Sequence, residues 1–288
     1  MYGSIEFGGT KIRCAKIDDM GNLLDEIWIK TDKPDENMEQ IKKFFDGQKL
    51  RAMGVGAFGP IDVNKNSKTY GMIQNTPKKK WAHYDLYGNL KKSVDTKIEI
   101  VTDVGLSAIG EYEKGAGKDC DSILYLTIGT GIGGAYIQDG KLLNGLSHPE
   151  MGHIEMIKDE RDEGECICSY HKNCFEGLAS GPSLMARLGK EAKEVDISDE
   201  AFDIVAGYIG QALITYSLVL RPEIIILGGG LMNKEGFIDM VREKFDRIKG
   251  AYLDFPESSE YIVTPGLGND SALVGGYYLG QKIEKDYN

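Results

Sequence analysis

Ser122-Ile123-Leu124-Tyr125-Leu126-Thr127-Ile128-Gly129-Thr130-Gly131-Ile132-Gly133-Gly134 reads as a buried strand that runs into a glycine-rich turn. Gly133 to Gln138 and Lys141 to Leu143 follow as further strands. The start of the chain has the same pattern: Ser4 to Phe7, a Gly8-Gly9 turn, Arg13 to Asp18, a polar break from Asp19 to Asn22, and Leu23 to Thr31. After the first set come helical periodicity from Met38 to Phe45, short buried strands at Ala52 to Ala57 and Ile98 to Thr102, and a helix from about Val104 to Gly115. After the second come a long helix from Ala201 to Leu220, a strand at Glu223 to Leu227, a helix from Lys234 to Ile248, a strand at Tyr261 to Thr264, and a closing helix from Ser271 to Glu284. Two such units imply two related α/β domains facing across a cleft. The expected division is 1–108, completed by the C-terminal helix 271–288, and 109–270.

The 288 residues, 41% of them hydrophobic, are enough for real cores in both units. A net charge of -11 excludes general affinity for nucleic acid phosphates or anionic membranes. The one basic triplet, Lys78-Lys79-Lys80, lies beside Pro77 and Trp81 and reads as a solvated loop. No run of about twenty uninterrupted apolar residues appears, and the N-terminus has no signal-peptide pattern, so the expected location is the cytoplasm. Reduced cysteines fit that location.

Glycine turns between strands let backbone N–H groups approach phosphate oxygens, because no Cβ stands in the way. Three occur here: Gly8-Gly9-Thr10-Lys11, with a hydroxyl and an ammonium; Gly129 to Gly134, with Thr130 and Gly131; and Gly228-Gly229-Gly230 after a buried strand. Neither a P-loop spacing nor a dinucleotide Gly-x-Gly-x-x-Gly opening a helix is present, which disfavours those modes of nucleotide binding.

Between His153 and Cys174 the chain gathers His153, Cys166, Cys168, His171 and Cys174. Thiolate and imidazole are the ligands a tetrahedral zinc ion prefers, and Cys168, His171 and Cys174 have the spacing for one loop to wrap it. His153, in a Glu150-Met151-Gly152-His153 turn, is the expected fourth ligand. Cys166 in place of His171 stays open as an alternative. Four protein ligands leave no open position, so the metal is expected to be structural.

Asp103 ends a buried strand and opens a helix, where an α/β sheet points residues into its cleft. It is the candidate general base, with a plain helix N-cap as the competing assignment. Glu150, His153 and Glu176 flank the metal loop and would suit a polyhydroxylated ligand.

Together these residues resemble the ROK family of sugar kinases and repressors, over the length from Ile5 to the last helix. Glu6-x-Gly8-Gly9-Thr10-Lys11 is similar to its first phosphate loop, Thr102-Asp103-Val104 to the stretch around its catalytic aspartate, and Glu150-x-Gly152-His153 to its sugar-binding motif. Glu176 is similar to a further sugar contact and Leu227 to Leu231 to the adenosine-side turn. Bacterial fructokinases are the most similar branch, through Glu6, Phe58-Gly59-Pro60-Ile61-Asp62, Tyr70-Gly71, Thr76-Pro77, Trp81, His148-Pro149, and above all Cys168-x2-His171-x2-Cys174. The resemblance implies an actin-like (ribonuclease H-like) fold, ATP with Mg2+ as the phosphoryl donor, Glu6 orienting that metal through water, and Pro182, Gly228, Gly229, Gly230, Leu231 and Met232 near the nucleotide. It further implies a homodimer with a sugar and ATP as its small-molecule partners. Phosphorylation of the fructose 6-hydroxyl is the expected reaction. Glucose, mannose or N-acetylmannosamine as substrate, and a non-catalytic sugar sensor, are the alternatives. A helix-turn-helix repressor is disfavoured because the first phosphate loop begins at residue 5. Two departures bear on substrate: Thr102 where an Asn commonly precedes the aspartate, and Gly105 where many members have Asn.

Overall fold

The computed structural model describes residues 1–286. In chain order the elements are β1 (Tyr2–Phe7), β2 (Lys11–Ile17), β3 (Leu23–Lys30), α1 (Pro34–Phe45), β4 (Ala52–Ala57), α2 (Leu86–Ser93), β5 (Lys97–Thr102) and α3 (Asp103–Lys114). There follow β6 (Ser122–Ile128), β7 (Ile132–Gln138), β8 (Lys141–Leu142), α4 (Phe175–Ala179), α5 (Gly181–Leu188), α6 (Glu200–Leu220), β9 (Ile224–Gly228), α7 (Phe237–Ile248), α8 (Ser258–Tyr261), β10 (Ile262–Val263) and α9 (Ser271–Asp286). They form two compact units, one of residues Met1–Lys118, Gly140–Pro149 and Gly266 onward, the other of Asp119–Asp139 and Glu150–Pro265. Residues 109–118, 140–149 and 266–270, expected in the second unit, fall with the first, residues 109–118 because they complete and follow a helix that packs along α9, and residues 287–288 of the expected closing helix lie outside the described residues.

In the first unit the strand order is β3-β2-β1-β4-β5, with β1 antiparallel to β2 and parallel to β4, and β4 parallel to β5. Side chains alternate between the two faces. Ile5 and Phe7 join Met38, Ile41, Leu86, Leu90 and Trp81 in one buried cluster. Tyr2, Ala15 and Val101 join Leu106, Leu273, Tyr277 and Ile283 in another, beneath α3 and α9. Register puts Glu6 opposite Arg13 and Arg13 opposite Trp28.

The second unit repeats the scheme: β6 is antiparallel to β7 and parallel to β9, which is parallel to β10. Its core gathers Leu124, Leu126, Phe175, Phe202, Tyr208, Leu213, Ile225 and Phe245. The 21-residue α6 is long and apolar enough to cross a membrane by length and composition alone. Its Ala201, Phe202, Val205, Tyr208, Ile209 and Leu213 are instead buried in this core, and Glu200 and Asp203 lie in its first turn.

Candidate active site and metal centre

In the first unit, β1 ends in the Gly8-Gly9 turn. Gly8 N–H donates to Lys11 O at 2.9 Å, Thr31 Oγ1 donates to Gly8 O at 2.9 Å, and Thr31 N–H donates to Thr10 O at 3.1 Å. The turn is thereby tied to the chain beyond β3. Lys11 does not lean over it, since its ammonium sits 4.1 Å from the centre of the Trp28 ring. Lys78 does: its Nζ lies 3.7 Å from where a Cβ on Gly9 would be. Among the described residues that ammonium has no carboxylate partner. Trp81, 1% exposed, anchors the segment by donating from Nε1 to Asp32 O at 2.8 Å, and Lys80 pairs with Asp32. The triplet is thus split, with Lys80 bound to an acid and Lys78 set beside the Gly8-Gly9 turn.

Glu6 lies in the same unit, two residues before Gly8. Burial pushes its carboxyl up to about 7, and the negative charge of Asp103 adds to the shift while Arg13 and Lys11 oppose it. Asp103 is the first residue of α3. The N-cap is Thr102, whose Oγ1 accepts from Gly105 N–H at 3.0 Å. Asp103 Oδ1 accepts from the adjacent Val104 N–H at 2.8 Å. Thr102 and Gly105, the two departures from the family pattern, are thus one capping pair.

In the second unit, Gly181 N–H donates to Gly129 O at 2.8 Å, which sets the start of α5, with Pro182 in its first turn, against the glycine-rich turn. Glu176 Oε2 accepts from Ile132 N–H at 2.8 Å. One oxygen of an expected sugar contact is therefore committed to the glycine-rich turn. Thr130 is exposed at the tip. Gly152 lies so close to the same hairpin that a Cβ there would meet Ile132 O at 2.2 Å, and only glycine fits. Gly229 has φ +95 and would place a Cβ 2.4 Å from Ile128 O, so this turn also needs glycine. Leu231 and Met232, expected near the nucleotide, are buried in the hydrophobic core, and Gly228, Gly229 and Gly230 precede them.

The segment after this hairpin brings the expected metal ligands together. A short helical turn, Met151–His153, has Glu150 exposed at its start, with His153 N–H donating to Glu150 O at 3.0 Å. Phe175 N–H donates to Ile154 O and Met156 N–H to Asn173 O, which lays the two ends of the loop side by side. One donor atom each from His153, Cys168, His171 and Cys174 then lies within 4.8 Å of the others. In a tetrahedral zinc site such atoms are roughly 3.5 Å apart, a short contraction away. His153 Nδ1 is buried without a hydrogen-bond partner among the described residues, an orphaned polar atom that a cation would satisfy. Burial pushes the Cys174 thiol up to about 12, and the neighbouring thiols of Cys168 and Cys166 add to this. Two thiols and two imidazoles are a zinc donor set, and the residues fit that ion. Cys166 stands outside the group, with Sγ 3.3 Å from His171 O.

A family model described as the ROK family matches residues 2–283. A putative fructokinase of Bacillus subtilis (strain 168) is 43% identical over 286 residues, covering 98% of this chain and 96% of that protein. A fructokinase of Lactococcus lactis subsp. cremoris is also 43% identical, over 98% of this chain and 97% of its own. Among solved structures, a ROK family glucokinase from Streptomyces griseus in complex with glucose and AMPPNP has a TM-score of 0.79 at 24% identity, covering 98% of this chain and 99% of that one. That likeness extends to the fold, which is the actin-like fold of these kinases. With the family model spanning nearly every residue and relatives at 43% identity over almost the whole length, this chain belongs to the ROK family.

Proposed function

We propose that this protein is an ATP-dependent fructokinase that phosphorylates the 6-hydroxyl of D-fructose. The observation that carries the reading is the His153, Cys168, His171 and Cys174 cluster, set between Glu150 and Glu176 on a chain 43% identical to proteins named fructokinase. ATP would supply the phosphoryl group, and a magnesium ion would neutralise charge on its phosphates.

Phosphoryl transfer asks a protein mainly for alignment and charge stabilisation. Asp103, relieved of capping by Thr102, takes the proton from the attacking hydroxyl. Because the transition state is loose, that base needs position more than a raised pKa. In the first unit, backbone amides of the Gly8-Gly9 turn, Thr10 and the ammonium of Lys78 would meet phosphate oxygens; in the second, amides of the Gly129–Gly134 turn and Thr130 would do so. Glu6 would help hold the magnesium, which would supply positive charge beside a carboxyl that burial makes reluctant to ionise. Glu150, His153 and Glu176 hold sugar hydroxyls. A zinc ion in the cysteine–histidine cluster would serve as a rigid cross-link that fixes the His153 ring, leaving its other nitrogen to donate. Sugar-dependent ADP release from ATP across a hexose panel tests the reading; a substrate other than fructose, or no turnover, contradicts it.

A further inference from the structure

Glu111 is a carboxylate in the last turn of α3 with no exposed surface. A helix C-terminus carries partial negative charge, and a buried carboxylate there works against helix stability. Its compensation comes from elsewhere in the chain. Oε2 accepts from Ala116 N–H at 2.8 Å and from Gly266 N–H at 2.8 Å; Oε1 accepts from Leu267 N–H at 3.0 Å and from Ser271 Oγ at 2.6 Å. Its own backbone carbonyl accepts from Gly115 N–H and Gly117 N–H, each at 3.0 Å. Two carboxylate oxygens offer about four lone-pair sites, and four donors fill them. No Lys or Arg among the described residues forms an ion pair with it.

The donors lie at particular places in the chain. The backbone passes from one unit to the other at Lys118/Asp119 and returns for the last time at Pro265/Gly266. Ala116 is two residues before the first of these passages, and Gly266 and Leu267 open the segment after the last. An apolar residue of similar size would fill the space at less desolvation cost, so what the carboxylate adds is a fixed position for both segments. The same helix begins with Asp103, eight residues and about 12 Å of helix rise away.

We propose that Glu111 is a positioning residue that pins the first and the last of the connecting segments to the helix bearing Asp103, so that the base keeps its place through turnover. This rests on the kinase reading above. Displacement of a reacting group by about 1 Å costs on the order of a hundredfold in rate, so release of the pin falls on kcat more than on binding.

The test uses the full chain, with Glu111→Gln, which keeps the shape but turns an amide toward N–H donors, and the milder Ser271→Ala, which leaves the carboxylate intact. Hydrogen exchange at Ala116, Gly266 and Leu267, read in the ligand-free protein, is expected to quicken about a hundredfold in Glu111→Gln. Its kcat should fall about thirtyfold, with KM for fructose and for ATP within about threefold of the unaltered protein. Ser271→Ala should lose about three- to tenfold in kcat in the same pattern. Unchanged exchange shows that no pin exists and overturns the proposal. Quickened exchange with kcat within threefold makes Glu111 a stability residue only and overturns it as well. If Glu111→Gln fails to fold, an unaltered kcat in Ser271→Ala has the same force. Failure of the kinase reading appears separately, as an unaltered protein that turns over no sugar, and the exchange contrast then decides for or against the pin by itself.

Discussion

Thr102 Oγ1 accepts the Gly105 N–H at 3.0 Å, and this bond takes the N-cap of α3 away from its neighbour Asp103. Removal of Asp103 should therefore spare the helix. Asp103→Ala is expected to lower kcat about a thousandfold or more, while zinc content and fructose affinity by calorimetry stay within about threefold. Near-normal turnover would remove Asp103 from the role, and a large fall in melting temperature would show that it caps after all.

Two lysines are candidates for the phosphate contact proposed here, and their surroundings separate them. Lys11 lies on the Trp28 ring, whereas Lys78 reaches over Gly9 without an acidic partner among the described residues. Lys78→Ala should raise KM for ATP and lower kcat, together reducing kcat/KM about thirtyfold, with Lys11→Ala moving it less than about threefold. Equal losses in the two variants, or the reverse order, would contradict this placement.

Elemental analysis should find one zinc ion per chain, lost on replacement of Cys168 or His171 by Ser but retained in Cys166→Ser. Removal of the ion by a chelator is expected to lower the melting temperature by at least about 10 °C, because metal binding is coupled to folding of the loop. KM for fructose should rise more than KM for ATP, since Glu150, His153 and Glu176 flank that loop. A protein that binds no zinc, or a Cys166→Ser variant that loses it, would refute the assignment.

The buried carboxyl of Glu6 gives stability a pH dependence with a definite sign. Its folded-state value, about 7, lies above the ordinary 4.5, so its contribution is complete below pH 4.5 and is lost as pH rises through 7. Glu6→Gln removes that loss. Relative to the unaltered protein, free of ligands, the variant should gain roughly 3 to 6 °C in melting temperature between pH 4.5 and pH 7.5. A difference that does not change with pH would mean that Glu6 ionises freely in the fold.

The sequence-legible parts of this molecule are those where local chemistry and fold agree. The strand–glycine–strand hairpins are visible because the buried strand pattern stops at glycine turns, Gly8-Gly9 between β1 and β2 and Gly129 to Gly131 between β6 and β7. The metal residues are visible because ligand spacing is a local property, and His153, Cys168, His171 and Cys174 do converge. Less legible are α2, whose Leu-Tyr-Gly-Asn-Leu-Lys-Lys-Ser buries only Leu86 and Leu90, and the short α4 and α5, whose Gly-Leu-Ala-Ser-Gly-Pro junction reads as a break. Lys78 reads as part of a solvated run because its neighbour Gly9 is 69 positions away in sequence, brought close by the anchoring of Trp81. Glu111 lies in the same class: an acidic residue near a helix end looks ordinary until Gly266, Leu267 and Ser271 return to meet it.

The most direct measurement is the rate of ADP release from ATP and Mg2+ with fructose, mannose, glucose and N-acetylmannosamine, ranked by kcat/KM. Preference for fructose by about tenfold or more is the predicted result. A preference for glucose would contradict the fructokinase reading while leaving the roles of Asp103 and the glycine turns intact, and an absence of turnover with every sugar would contradict the catalytic account itself.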